Sequence, residues 1–231
     1  MLYVVSHQNR LVRNSLGLLE AEEKLAHKNY TACCPEDIAK KLEGRGYGVS
    51  RQIRGRQAFL EARLPGGNLG DYRATAKIAF DHAGKRSVRI APGALRMACY
   101  NQFTSANQIR LHHCGADIKR FNERPWEFLE DLLAPAVEMA NRIEALRPVI
   151  SNNLGRRWIH CLLGGYPKLL GKVLPRFSRY SLENRWIPGP WAVLQAFTDT
   201  HSPTLERAVG ELVTDHYQEL AAGIVPEYQL N

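Results

Sequence analysis

Nine residues decide most of what this chain can become. Over 72–80, Tyr72, Ala74, Ala76, Ile78 and Phe80 alternate with Arg73, Thr75, Lys77 and Ala79. A period of two belongs to a strand with one face buried and one in water, and here the watered face is cationic. The polar run 81–86 interrupts the pattern, and Val88 and Ile90 resume it around Arg89, which predicts a hairpin. Pairing of its strands places Arg73, Lys77 and Arg89 on one face. Over 92–101 a leading proline, whose missing N–H costs nothing in a first turn, predicts a short helix carrying Arg96, Cys99 and Asn101. Alternation over 108–112 predicts another strand, ending at His113.

The flanking sequence reads as scaffold. Residues 2–5 and 15–28 are predicted as a strand and a helix. Over 35–43 a helix is well marked, with Pro35, Glu36 and Asp37 early, Lys40 and Lys41 late, and Gly44 in the place of a C-terminal glycine cap. Strands are predicted over 49–54 and 58–64, joined by a turn at Gly55 and Arg56. After Phe121 the spacing becomes helical: 126–147 with a kink or break at Pro135, then 153–163 and 167–174, a loop over 175–190, and closing helices over 191–200 and 203–222. The expected fold class is α+β: a basic antiparallel sheet of about four or five strands with flanking helices and a helical C-terminal half. A single domain, 1–231, is expected, with a sheet-containing half (1–121) and a helical half (122–231).

Charge is where composition becomes informative. The 231 residues carry a formal net charge of +8, and the stretch 44–96 holds eleven Lys and Arg against three acids, an excess equal to the whole net charge. A one-sided positive surface attracts polyanions, of which nucleic acid is the commonest. Five cysteines (Cys33, Cys34, Cys99, Cys114, Cys161) form no Cys-x-x-Cys pair, which argues against a disulfide framework and a common zinc module. No cofactor is expected. No apolar run is long enough for a membrane span, and the first residues lack a signal-peptide layout, so a cytoplasmic protein without membrane contact is expected. Phosphate-binding G-x-x-x-x-G-K-[ST] and nucleophile-elbow G-x-S-x-G elements are missing from the sequence.

Four short elements stand out together: Asp81-His82-Ala83-Gly84, the Arg-x-x-Cys-x-Asn segment Arg96, Cys99, Asn101, the basic Arg110-Leu111-His112-His113, and Trp191 followed by Ala196 and Thr198. Over roughly 35–200 this order resembles the phage and plasmid proteins grouped as domain of unknown function 932. Two positions depart from that pattern: His82 follows Asp81 instead of preceding it, and Gln102 stands where a glycine usually follows the asparagine. The resemblance implies a mobile-element origin and carries no established activity. At the level of layout the chain is also similar to phage recombination proteins of the single-strand annealing type.

Three functional readings follow. In the first, Arg51, Arg54, Arg56, Arg73, Lys77, Lys85, Arg86, Arg89, Arg96 and Arg110 track the phosphates of DNA or RNA, Tyr47, Tyr72 or Tyr100 stack bases, and the protein promotes strand annealing or recombination as a homo-oligomer. In the second, His82, Asn101 and His113 form a His-Asn-His type metal-dependent nuclease site. In the third, the protein blocks a host defence complex, with Trp158, Trp186 and Trp191 available to a partner. Set against these are plain structural roles: core packing for Trp126, Trp191, Cys99, Cys33, Cys34 and Cys161, and a backbone hydrogen bond for His113. A zinc set of Cys99, His112, His113 and Cys114 is opposed by strand geometry, which points adjacent side chains to opposite faces.

Overall fold

The computed structural model describes residues 31, 33–54, 57–81, 87–151 and 154–230. The strand and helix predicted within 1–30 lie outside them. The fold is α+β. Its six-stranded antiparallel sheet is formed by β1 (Gly48–Arg54), β2 (Gln57–Leu69), β3 (Tyr72–Asp81), β4 (Val88–Arg96), β5 (Gln102–Thr104) and β6 (Ile109–Leu111). The strand order is β1-β2-β3-β4-β5, with β6 also pairing β4. Helices α1 (Pro35–Glu43), α2 (Ala116–Glu123), α3 (Pro125–Glu130), α4 (Leu133–Ala145), α5 (Arg156–Leu163), α6 (Pro167–Glu183), α7 (Pro190–Thr198), α8 (Pro203–Asp215) and α9 (Tyr217–Ala221) complete the described elements. None of them is long and apolar enough to cross a membrane.

Two compact units make up the chain, and their segments interleave: Met1–Asn68, Ala74–Pro92 and Gln108–Ala136 in the first, Leu69–Arg73, Gly93–Asn107 and Val137–Asn231 in the second. The compositional change after Phe121 is therefore not where the units divide.

In the first unit the inward residues of the strands are buried: Ala58, Leu60, Ala62 and Leu64 on β2, Ala74, Ala76, Ile78 and Phe80 on β3, Val88 and Ile90 on β4. Helix α1 adds Ile38, Ala39 and Leu42 to that core. Its end is set by Gly46, not by Gly44. Gly44 keeps right-handed helical backbone, while Gly46 takes φ +85°, its N–H bonding Glu43 O at 2.9 Å and the Tyr47 N–H bonding Leu42 O at 3.1 Å. These are the two bonds of a Schellman cap, which needs a left-handed residue one step past the helix. Tyr47, 8% exposed, closes the motif over the helix end, so it is not available to stack a base. Trp126 is half-buried beneath Arg45, whose guanidinium lies 4.1 Å from its ring centre.

The second unit has a larger apolar core. Every residue of α7 is buried, as expected of a helix that is apolar all round. Trp158 stacks on Phe197 at 5.9 Å, and Tyr180 meets Trp191 edge-on at 6.1 Å. Trp158 and Trp191 are thus core residues, and only Trp186, 69% exposed, is open among the three proposed for a partner surface. Two helices sit very close to backbone. A Cβ on Gly189 would collide with the Val149 carbonyl, and one on Gly210 with the Thr104 carbonyl.

Five local expectations are corrected. The stretch after Pro92 continues β4 to Arg96 and turns at Met97–Cys99 instead of starting a helix. Residues 88–90 of β4 pair with β6 and residues 93–95 with β5, so Pro92 falls in the interval between two partners. A residue without an N–H is tolerated at such a break in the ladder. Helix α6 runs through Pro175 to Glu183, where a loop was expected, because Val173, Phe177 and Tyr180 form one buried stripe that outweighs the proline. The break in 126–147 falls at Asp131 and Leu132, leaving Pro135 in the first turn of α4. The closing helix is interrupted at His216. Of the cysteines expected to pack, Cys33 is buried and Cys34 half-buried, but Cys161 is exposed.

Arg51 supplies a test. Its guanidinium pairs with Glu36 at 3.0 Å and Glu43 at 2.7 Å, and the hydrogen bond from Arg51 holds the Glu43 carboxyl below its ordinary range. A depressed carboxylate stabilises the fold above its unfolded value of about pH 4 and loses that contribution as pH falls through the folded one. Arg51→Gln should lower the thermal midpoint at pH 7 by about 3 °C, and the difference from the unsubstituted protein should shrink as pH falls through the depressed Glu43 value, read by circular dichroism.

Candidate nucleic-acid interface

Strand parity decides which basic residues can face a ligand. On β1 the exposed positions are Gly48, Ser50 and Gln52, which pair with Arg63, Glu61 and Phe59 of β2. Directly paired residues share a face, so these define the outer surface of the sheet in the first unit. Lys77, between buried Ala76 and Ile78, and Arg89, between buried Val88 and Ile90, lie on the same surface. Arg110 of β6 pairs Arg89 directly. The resulting face carries Arg63, Lys77, Arg89 and Arg110 against Glu61.

Its chemistry is more specific than a count of charges. Like charges directly opposite on paired strands are destabilising. Two unit charges about 6 Å apart repel by roughly 0.7 kcal/mol in water, too little to part β4 from β6 but enough to reward an anion seated over both. Among the described residues, no carboxylate pairs with Arg63, Arg89 or Arg110. The Arg63 stem lies across Gly48, and the Lys77 ammonium sits 5.4 Å from the ring centre of half-buried Phe59. Glu61 is half-buried, and burial raises its carboxyl above the ordinary range while Arg63 and Lys77 pull the other way. Thr75, on the same alternation as Lys77, is fully buried.

The remaining predicted residues are placed differently. Arg73 is half-buried and belongs to the segment Leu69–Arg73 of the second unit. Arg54 ends β1, with its side chain outside what is described, and His82, Lys85, Arg86 and Arg56 lie outside the described residues. Arg51 is corrected: it pairs Leu60 on the inward parity of β1, under α1, and its guanidinium is taken by Glu36 and Glu43. Arg96 is corrected too. It shares the parity of Val88, Ile90 and Ala94, is 2% exposed, and donates to Glu183, with Asp71 4.0 Å away.

Around Arg96 the second unit holds a buried polar network. The Arg96 guanidinium lies 4.9 Å and that of Arg147 4.4 Å from the Trp191 ring centre. Trp191 Nε1 and Gln195 Nε2 donate to the Tyr72 hydroxyl at 3.1 and 2.9 Å. Asn101 Nδ2 donates to Gln195 Oε1 at 2.9 Å and to the Tyr180 hydroxyl at 3.0 Å. Arg96 Nη1 lies 3.7 Å from Cys99 Sγ. Burial pushes the Tyr72 phenol well above its ordinary range and that of Tyr180 up to about 12, so both are neutral hydrogen-bonding groups at physiological pH. The Arg-x-x-Cys-x-Asn segment therefore converges in space, as part of a core. Tyr72, 2% exposed, is removed from the stacking candidates, whereas Tyr100 is 66% exposed.

Of the three residues of the nuclease reading, His82 lies outside the described residues, and Asn101 and His113 belong to different units. Asn101 is 1% exposed and its amide is engaged inside the second unit, while His113 belongs to the first and bonds the Thr31 carbonyl through Nδ1 at 3.0 Å. The described residues contain no group of three His, Cys, Asp or Glu side chains able to hold a metal ion. Sequence reasoning omitted Arg63 and Phe59 from the site. Their signal was the alternation of 58–64, which sets both opposite Leu60, Ala62 and Leu64. No family model matches the sequence, and neither a curated protein nor a solved structure matches it.

Two measurements check this geometry. Glu61→Gln should tighten binding of single-stranded DNA at pH 7 by roughly threefold, the equivalent of removing one unit charge about 6 Å away in water. Because burial raises Glu61, the unsubstituted protein should gain that affinity as pH falls through the raised value, and the variant should not. Glu183→Ala leaves the buried Arg96 charge with Asp71 alone, and should destabilise the protein by roughly 3 kcal/mol in urea denaturation.

Proposed function

We propose that this chain binds nucleic acid through the outer sheet face of its first unit, holding a single strand without sequence preference and promoting strand annealing or recombination. The observation that carries this reading is the direct pairing of Arg89 with Arg110, with Arg63 and Lys77 on the same face. An anion is the natural complement of two guanidinium groups set across one strand pair, and a chain of phosphates is the natural complement of four cations. A sheet face beside an aromatic ring suits an unstacked single strand, whose bases have π-faces for Phe59 and whose phosphates meet the cations. Annealing follows from the same chemistry, since a neutralised strand repels its complement less. The setting proposed is a phage or plasmid, on the strength of the resemblance described for 35–200.

Self-assembly is the second part of the proposal. Trp186, Tyr100 and Leu182 are 69%, 66% and 54% exposed in the second unit, and aromatic side chains of this kind anchor interfaces between copies.

The deciding experiment is charge reversal of the pair. Arg89→Glu with Arg110→Glu should weaken binding of a short single-stranded oligonucleotide by about tenfold or more, and should lower the slope of log affinity against log salt by about 1.4, two contacts at about 0.7 each. Unchanged affinity in a variant with an unchanged circular dichroism spectrum would sink the proposal.

A further inference from the structure

The second unit contains a cationic surface that the charge total conceals. Over 156–182 there are six Lys and Arg and no acid, a local excess balanced elsewhere in the chain. These residues fall on α5 and α6. Lys168, Lys172, Arg176 and Arg179 recur at intervals of four, four and three along α6, so they lie within one stripe of its surface, spanning about 16 Å of helix axis. Arg156, at the start of α5, donates to Ser178 Oγ of α6 at 3.2 Å, bringing the Arg156 and Arg157 pair alongside. Lys168, Lys172, Arg156, Arg157 and Arg179 are exposed.

Counter-charge is nearly lacking. Arg176 and Arg179 share one carboxylate, Asp199, at 2.9 and 2.8 Å. No carboxylate among the described residues pairs with Arg156, Arg157, Lys168 or Lys172. Tyr166, 47% exposed, stands at the head of the stripe immediately before Pro167. Such a surface fits either a nucleic acid backbone or an anionic membrane, and the other face of α6 distinguishes them. A helix that lies on a membrane needs its apolar face free to enter the lipid. Here that face, Val173, Phe177 and Tyr180, is buried in the core of the unit. What remains outside is cations and an aromatic ring, the pattern of a strand-tracking surface.

We infer that the α5 and α6 face is a second nucleic-acid-binding surface, independent of the sheet face, so that one chain can hold two strands. This rests on the reading of the partner as nucleic acid and adds a site that the sheet does not supply. A second surface adds to the charge neutralisation that the sheet face supplies, because both strands are then held on the same molecule.

The test uses the full chain and two length-matched pairs of oligonucleotides, one non-complementary and one complementary, each pair carrying a donor and an acceptor dye. With the non-complementary pair, the protein should bring the dyes together at a protein concentration below that of the oligonucleotides. Lys168→Glu with Lys172→Glu should abolish that signal and slow annealing of the complementary pair by about tenfold, while leaving one strand bound to the sheet face with its salt slope unchanged. Arg89→Glu with Arg110→Glu should also abolish bridging, leaving one strand held by the helix face alone and about tenfold or more weaker than in the parent. If the helix variant bridges as well as the parent, the second surface is refuted while the sheet reading stands; if the parent binds no oligonucleotide, both are refuted. Binding to phosphatidylserine vesicles that the helix variant loses, with bridging unaffected, would assign the face to lipid and overturn the inference.

Discussion

A guanidinium buried at the end of β4 is the constraint on which the second unit depends. Taking an ion out of water costs several kcal/mol, recovered only where geometry and hydrogen bonds are good. Arg96 recovers it through Glu183, nearby Asp71 and the Trp191 ring. Each compensating group then needs a fixed place, and the Tyr72, Gln195, Asn101 and Tyr180 bonds provide it by linking a strand, a turn and two helices of the unit. The compensation is incomplete, since Arg96 Nε and Asn101 Oδ1 are buried without a hydrogen-bond partner. A network of this kind specifies one arrangement of its helices more strictly than apolar packing alone.

Arginine therefore does two opposite things in this chain. Arg51 and Arg96 face inward and meet carboxylates, whereas Arg63, Arg89 and Arg110 face outward and meet none among the described residues. Composition cannot separate the two groups, because both count equally toward net charge. Parity can. Arg51 falls in step with Val49 and Ile53, and Arg96 in step with Ile90 and Ala94, so both were legible as inward once their strands were drawn to full length. The same bookkeeping hid the helical cations, whose local excess is cancelled by acids elsewhere in the sequence.

The strands were legible where their two faces differ and lost where they do not. β3 alternates cleanly because one side is apolar and the other is not. From Ala91 to Arg96, β4 is buried on both sides, so the alternation that marks a strand vanishes and Pro92 reads as a helix start. In α6 the local signal of Pro175 was real, but the decision came from Val173, Phe177 and Tyr180 finding a common core, which no window of sequence contains. The outer face was recovered in outline from 72–90. Its decisive feature, Arg89 opposite Arg110, depends on a register between strands some twenty residues apart.

The glycines of the second unit divide its surface into places that can and cannot drift. At Gly189 and Gly210 even a methyl group would strike a neighbouring carbonyl, so a helix can approach that backbone only while no side chain stands there. Gly165 and Gly171, beside the cationic stripe, have open space around them. Over generations the packing of the interior is locked by its smallest residues, while the open positions at and beside the charged helix stay at liberty to acquire new side chains and retune what that surface holds.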